Sequence, residues 1–307
     1  FKMKRILPLI LVIFLTNSAF AGDKIKKSGF ITSKVKIIKS EEINDPKNKI
    51  IIIYNHGQNS LDGKGSDCTW VSSLRNKASL VDNEIDGKKI MVYNLCTNKL
   101  KGDQPGDWWG SGKIYEGKTK LDKRVEANLE LIEKFVSKGV PRKQIFISGH
   151  SCGGLTTLLF LSRYPKKIGG GISYMHACFG KLSHEYKVKK IGVDKALEKF
   201  KKKKPGPYEL RTRQQDEIKI NLKLPLLAFT HPKDKYEGLL SDWIDEIDLI
   251  ERIVISQDFK IDGMACKKKS PSETWNVKKG HNMDQGLCFQ YYNPKIKEYI
   301  AARIYDK

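Results

Sequence analysis

The sequence lacks any apolar run long enough to cross a bilayer. The longest candidate has ten mostly apolar residues, Ile6 to Leu15, whereas a transmembrane helix needs roughly twenty. Every later apolar run is interrupted by charged residues within about ten positions. The chain therefore offers no candidate transmembrane helix.

Metal and nucleic-acid signatures are also missing. None of the six cysteines forms the Cys-x-x-Cys pair typical of a zinc site. The tightest lysine runs, Lys201 to Lys204 and Lys267 to Lys269, contain no interleaved aromatic residues and match no nucleic-acid-binding motif. We therefore expect no bound metal and no specific nucleic-acid partner, and no internal repeat is visible.

Acidic residues are scarce relative to basic ones, 35 against 57, which leaves a formal net charge of +22. Lysines are scattered along every segment, so a solvated lysine-rich surface is the plain interpretation. The positive electrostatic field of such a surface also attracts anionic lipid or polymer, and that alternative stays open.

The first residues have the pattern of a secretory signal. Met3-Lys4-Arg5 is followed by the apolar run, and Ala19-x-Ala21 supplies small residues at a cleavage position. We expect residues 1–21 to be a signal peptide and 22–307 to be one domain, exported to the periplasm or secreted, with no cysteine placed to carry a lipid. Since Lys2, Lys4 and Arg5 precede the cleavage site and no acidic residue does, the mature part would carry +19.

Six cysteines in an exported chain predict disulfides, with fifteen possible connectivities for three bridges. The order of the predicted strands favours three pairs. These are Cys68 with Cys96, Cys152 with Cys178, and Cys266 with Cys288.

Strand-like and helix-like segments alternate along the chain. The predicted strands cover residues 30–39, 49–54, 89–95, 144–148, 168–175, 224–230 and 273–277. The predicted helices cover 67–80, 121–138, the segment after the motif at 149–153, 239–255 and a C-terminal segment from 294. This rhythm predicts an α/β fold with a mostly parallel sheet and helices on both faces. A polar stretch, about 181–221, is expected to be an insertion, placed over the active-site edge or simply exposed.

The most informative motif is Gly149-His150-Ser151-Cys152-Gly153. An apolar run precedes it and a helix-like run follows it, so the motif falls on a strand-turn-helix. Such a turn needs small residues on both sides and lifts the central hydroxyl clear of the sheet. We interpret Ser151 as a nucleophile, the alternative being a structural turn.

A serine nucleophile needs an imidazole base and a carboxylate that orients it. Asp234 follows a predicted strand in the loop His231-Pro232-Lys233-Asp234, and Asp242 and Asp245 are weaker candidates because they fall in the next predicted helix. Of the six histidines, only His281 lies downstream of this acid. The order Ser151, Asp234, His281 is that of α/β-hydrolases. His231 is expected to serve the loop.

Two backbone N–H groups must also face the developing oxyanion. The amide of Cys152, directly after the nucleophile, is one candidate. The other is the amide of Gln58 in the loop His56-Gly57-Gln58, where Gly57 allows close approach and His56 is expected to pack and shape the loop.

With these residues in place, the chain resembles secreted members of the α/β-hydrolase superfamily, nearest to dienelactone-hydrolase-like and polyhydroxybutyrate-depolymerase-like esterases. The resemblance covers nearly all of 22–307 and rests on His56-Gly57, the 149–153 motif, Asp234 and His281. It implies ester hydrolysis without a cofactor. Dienelactone hydrolases proper use a cysteine nucleophile, so Ser151 speaks against that activity.

Trp108 and Trp109 lie in a glycine-rich loop after a predicted strand, at the sheet edge where ligands bind. One of them is a candidate platform for an apolar or aromatic acyl group, and the alternative is a tryptophan that covers the helix below.

Three functions are consistent with the sequence. The first is an exported serine hydrolase that cleaves small-molecule or polymer esters through an acyl-enzyme. The second is a serine peptidase of the prolyl-oligopeptidase-like type, although nothing in the sequence marks the β-propeller or the substrate-amine carboxylates that such enzymes often use. The third is a non-catalytic binding protein for anionic envelope lipid or polymer.

Overall fold

The computed structural model describes residues 24–38, 42–58, 68–97, 99–100, 117–255, 260–261, 264–265, 280–285 and 287–305. Its strands, in chain order, are β1 (Lys24–Ile25), β2 (Gly29–Phe30), β3 (Lys49–Asn55), β4 (Thr69–Trp70), β5 (Glu84–Ile85), β6 (Lys88–Leu95), β7 (Ile145–His150), β8 (Gly170–Tyr174), β9 (Leu226–Thr230), β10 (Ile250–Val254), β11 (Lys260–Ile261) and β12 (Met264–Ala265).

The main sheet has the strand order β10-β9-β8-β7-β3-β6-β2, with β5 also paired to β6. Strands β3 and β6 to β10 are parallel to their neighbours, while β2 and β5 run antiparallel to β6. From β3 the chain passes to β6 on one side and then returns to β7 on the other. Ligand sites in open α/β sheets lie at the carboxyl edge of such a reversal.

The α-helices are α1 (Val71–Ala78), α2 (Lys120–Ser137), α3 (Cys152–Arg163), α4 (Leu182–Glu185), α5 (Val188–Ile191), α6 (Val193–Lys203), α7 (Pro205–Asn221) and α8 (Asn293–Tyr305). Helix α2 begins at a capping box in which Thr119 Oγ1 accepts from the Asp122 amide, and the Asp122 carboxylate accepts from the Thr119 amide. This exchange satisfies two backbone donors that the first helical turn would otherwise leave open.

Both faces of the sheet are buried, as the run of isoleucines in β3 shows. Ile51 and Ile53 join the core under α2 and α3, whereas Ile50 and Ile52 join the core under α1 and α8. Alternate residues of a strand point to opposite faces, and a run that is apolar on both is typical of a parallel sheet between two helical layers. The predicted α/β architecture, a mostly parallel sheet with helices on both faces, is confirmed.

The helix predicted for 239–255 is wrong. The segment forms a 3₁₀ helix at Gly238–Glu246 and then strand β10, which pairs in parallel with β9. The β-branched residues of Ile250–Val254 favour a strand at the edge of the sheet. The spacing of apolar residues over so short a segment does not distinguish a strand from a helix.

The strand predicted for 30–39 is also shorter than expected. After β2 the chain turns back, so that Ile31 bridges Ile37 and the Ile38 amide donates to the Phe30 carbonyl. Val35 takes a positive φ of 58° in this turn.

Within the described part of the chain, no helix is long and apolar enough to span a membrane.

The polar stretch 181–221 forms α4 to α7. Its apolar residues Phe200, Leu210 and Ile218 are buried and extend the core beside α3. The Ser183 amide donates to the Tyr236 carbonyl at 2.8 Å, so the insertion contacts the loop after β9. The insertion therefore supports that loop from the side.

Candidate active site

Ser151 occupies the turn between β7 and α3. Its backbone has φ 57° and ψ −122°, a conformation that costs energy in a residue with a side chain and is typical of a nucleophile elbow. The turn is held because the Ser151 amide donates to the Tyr174 carbonyl at 3.0 Å and the Ala177 amide donates to the Ser151 carbonyl at 3.2 Å. The side chain is buried but lines a cavity.

Close backbone approach explains the glycine that ends the motif. A Cβ on Gly153 would lie 2.0 Å from the Asn55 carbonyl oxygen. Side-chain atoms do not approach backbone so closely, so this position admits only glycine. The contact also sets α3 directly against the end of β3, where the 56–58 loop begins.

The three predicted triad side chains meet at the carboxyl edge of the sheet. His281 Nε2 lies 2.9 Å from Ser151 Oγ, and His281 Nδ1 lies 2.7 Å from Asp234 Oδ2. A carboxylate only accepts hydrogen bonds, so Nδ1 carries the proton and Nε2 can accept one from the serine hydroxyl. At these distances the serine hydroxyl can pass its proton to the imidazole while the carboxylate orients the ring.

Asp234 is held by backbone as well as by His281. Its amide donates to the His231 carbonyl at 2.9 Å, and its Oδ1 accepts from the Tyr236 amide at 2.8 Å. His231 Nδ1 accepts from the Lys233 amide at 3.0 Å, which agrees with the expected loop role. The other acid candidates, Asp242 and Asp245, instead pair with Arg252.

Tyr236 is a site residue that sequence reasoning missed. Its ring stacks on His281 with the centroids 4.0 Å apart and the planes at 28°. The stack covers one face of the imidazole while the Tyr236 amide fixes Asp234. Only its place two residues after the acid could have indicated this contact.

The loop that carries Gln58 is fixed by His56. His56 Nε2 accepts from the Thr97 amide at 3.1 Å, so Nδ1 carries the proton and donates to the Gly57 carbonyl at 2.6 Å. Burial lowers the pKa of His56 well below its ordinary value, and the Arg124 guanidinium adds to this effect. The ring is therefore a neutral brace, and Arg124 Nη1 donates to the His56 carbonyl at 2.6 Å.

This loop lies against the nucleophile. A Cβ on Gly57 would stand only 3.1 Å from Ser151 Cβ. Gln58 and Cys152 both line the cavity at Ser151, so the structure brings together the two residues whose amides were expected to face an oxyanion.

Behind the nucleophile lies a buried ionic cluster that the sequence did not reveal. Lys77 Nζ forms an ion pair with Asp284 Oδ2, and His150 Nδ1 lies 2.8 Å from Asp284 Oδ1. Burial alone would raise the pKa of Asp284, but His150 and Lys77 hold it well below its ordinary value. Asp284 stands three residues after His281, which was the one local hint.

Two predicted disulfides are confirmed. Cys152 is bonded to Cys178 with the Cα atoms 4.6 Å apart, and Cys68 is bonded to Cys96 at 5.1 Å. Both separations lie in the usual range for a bridge. The third pair, with Cys266, lies outside the described residues.

The Cys152–Cys178 bridge joins the start of α3 to the loop after β8. Removing it with Cys178→Ala should destabilise the fold by about 2–4 kcal/mol, because the loop closed in the unfolded chain is lost. Turnover should also fall, since the Cys152 amide loses its brace. Urea unfolding and ester-hydrolysis rates measure the two effects.

Cys96→Ala is the matched control, because the two bridges close loops of similar length, with sequence separations of 26 and 28. We expect a comparable loss of stability from it and a smaller loss of turnover. Equal turnover in Cys178→Ala and the wild type would show that the bridge does not position the site.

Trp108, Trp109, the signal segment and the strand predicted for 273–277 lie outside the described residues. Among the residues that are described, no group of three or more His, Cys, Asp or Glu side chains could hold a metal ion.

Comparisons with known proteins give limited similarity. No family model matches the chain. A probable carboxylesterase of Oryza sativa subsp. japonica is 45% identical over 49 residues, which are 16% of this chain and 18% of that protein. The match thus spans less than a fifth of the relative's length.

Among solved structures, Est1E from Butyrivibrio proteoclasticus aligns with a TM-score of 0.48 and 13% identity, over 85% of this chain and 91% of that one. A structure from a study of two fungal esterases of Rhizomucor miehei gives a TM-score of 0.48 and 12% identity, over 91% and 84% of the two chains.

Proposed function

We propose that this chain is an exported serine hydrolase that cleaves carboxylic esters through an acyl-enzyme. The observation that carries the proposal is the continuous relay from Ser151 Oγ through His281 to Asp234, with contacts of 2.9 and 2.7 Å. A hydroxyl, an imidazole and a carboxylate at these separations form the constellation that activates serine.

In the proposed reaction, Ser151 Oγ attacks the ester carbonyl while His281 Nε2 takes its proton. Asp234 stabilises the imidazolium through Nδ1. The amides of Gln58 and Cys152 donate to the oxyanion, and each such donor is typically worth about 3–4 kcal/mol in the transition state. His281 then protonates the leaving alcohol, and a water molecule releases the acid by the same steps.

Export is supported by the two disulfides, because such bridges persist in oxidising compartments. The basic, apolar and small-residue regions of 1–21 favour the same conclusion. N-terminal sequencing of the exported chain tests this part of the proposal, with Gly22 as the expected first residue.

A fluorophosphonate probe tests the nucleophile directly. The wild type should be labelled covalently, and Ser151→Ala should not be labelled although it folds. Ser137→Ala removes an exposed serine at the end of α2 and should leave labelling intact. A folded wild type that resists the probe would contradict the proposal and favour the binding-protein alternative.

Ester specificity is tested with p-nitrophenyl acetate against an aminoacyl p-nitroanilide. Hydrolysis of the ester at the higher kcat/KM is expected. Hydrolysis of the anilide alone would replace the esterase proposal with the peptidase alternative.

A further inference from the structure

The cavity at Ser151 has a polar wall, part of which is His150, whose ring lies beside that of His281. Its polar lining includes Tyr54, Ser73, His150, Asn282 and Gln285. An ester with a purely hydrocarbon alcohol would cover these groups without giving them hydrogen bonds, and burying polar groups unpaired costs free energy.

The ring of His150 is held beside a buried carboxylate. Its Nδ1 edge faces Asp284, whose second oxygen pairs with Lys77. Burial lowers the pKa of His150 against the opposing effect of Asp284, and the proton of a neutral ring belongs on Nδ1, beside the carboxylate. Nε2 is then an acceptor on a ring that lines the cavity.

Tyr54 supplies a complementary group. Its side chain is fully buried and lines the same cavity, yet its hydroxyl has no hydrogen-bond partner among the described residues. Ser73, also buried, adds a second hydroxyl to this wall. A native protein seldom leaves a buried hydroxyl unpaired, so Tyr54 has a donor that could serve a polar group bound beside it.

The direction of proton transfer from His281 determines which part of a bound ester lies against this polar wall. The leaving alcohol takes its proton from His281 Nε2 and therefore lies beside that ring. The ring of His150 is 4.8 Å from the ring of His281, centroid to centroid. The alcohol portion, rather than the acyl portion, thus lies near His150 in the cavity that Tyr54 and Ser73 also line.

We propose that Tyr54, Ser73 and His150 form a subsite for a free hydroxyl on the leaving alcohol, so that the preferred substrates are esters of saccharide-type or glycerol-type alcohols. The inference rests on the proposed ester hydrolysis. In the subsite, the substrate hydroxyl donates to His150 Nε2 and accepts from Tyr54. Asp284 and Lys77 act through His150 and are positioning residues.

The test compares kcat/KM for two matched pairs of acetate esters. Glycerol monoacetate is paired with propyl acetate, and an acetylated methyl xyloside with cyclohexyl acetate. The wild type should favour the hydroxylated member by about 10-fold or more, as expected for two neutral hydrogen bonds. The pair with the larger ratio distinguishes a glycerol-type from a saccharide-type alcohol.

Tyr54→Phe and Ser73→Ala should each lower this preference by about 3- to 10-fold, the range for one lost hydrogen bond. Tyr186→Phe, at a tyrosine buried in the insertion, should leave the ratio unchanged. If Tyr54→Phe does not fold, the ratio of kcat/KM values measured for Ser73→Ala tests the subsite by itself.

A wild type that favours the alkyl esters, or a ratio unchanged in the folded subsite variants, would overturn the subsite and leave ester hydrolysis standing. Absence of hydrolysis of all four esters together with absence of fluorophosphonate labelling would overturn the proposed function, and the subsite with it.

Discussion

Replacing His281 with alanine is expected to lower kcat for ester hydrolysis by about 10⁵- to 10⁶-fold, since a triad works as a unit and loss of its base costs nearly all of its catalysis. In the structure, His281 bridges Ser151 Oγ and the acid Asp234. Steady-state rates with p-nitrophenyl acetate measure the loss, and circular dichroism shows that the variant is folded.

His184→Ala is the matched control, because His184 lies exposed in α4. It should retain the wild-type rate. A His281→Ala variant that keeps more than a few per cent of wild-type turnover would mean that another group takes the serine proton, and His150, 4.8 Å away ring to ring, would be the first to examine.

Lys77→Met is expected to destabilise the protein by about 3–5 kcal/mol, the usual cost of leaving one partner of a buried ion pair alone. Lys77 and Asp284 are both almost fully excluded from solvent, and their pair lies between α1 and the segment after His281. Urea unfolding at neutral pH measures the change as a lower midpoint.

The stability of two further variants is compared with that of Lys77→Met. Lys219→Met breaks an exposed pair with Glu246 and should cost less than about 1 kcal/mol. The double variant Lys77→Met/Asp284→Leu removes both charges and should recover much of the stability. Equal losses in Lys77→Met and Lys219→Met would contradict the buried-charge explanation.

The stability of the protein at low pH gives an independent measurement of the contribution of Asp284. The pKa of Asp284 lies well below its ordinary value in the folded protein, so its stabilising effect is complete above the unfolded value, about 3.9. The effect is lost as the pH falls from there towards the folded value. Below about pH 4, the stability of the wild type should therefore fall more steeply than that of Asp284→Asn.

Much of the site could be predicted because its chemistry depends on chain order. Ser151 sits in a motif with a local backbone requirement, Asp234 follows a strand, and His281 is the one histidine after that acid. These signals depend on the local sequence or on the order of the residues along the chain. The pairing of Cys152 with Cys178 followed from the parallel strand order in the same way.

What could not be predicted depends on contacts between distant segments. Lys77 and Asp284 are 207 residues apart, and apart from the position of Asp284 three residues after His281, no local pattern marks either one as buried and paired. The stack of Tyr236 on His281 depends on the angle at which two loops meet. The misread strand β10 is similar, since five residues carry too little periodicity to tell a strand from a helix until a neighbour such as β9 is known.

The sequence separations within the relay have a consequence for how the chain becomes active. Ser151 and His281 are 130 residues apart, and Asp234 and His281 are 47 apart. Contacts between such distant residues form late, because large loops must close first. During synthesis the nucleophile leaves the ribosome long before its base does. The proposed hydrolytic activity therefore requires completion of the C-terminal half, so turnover would report on the fully assembled molecule.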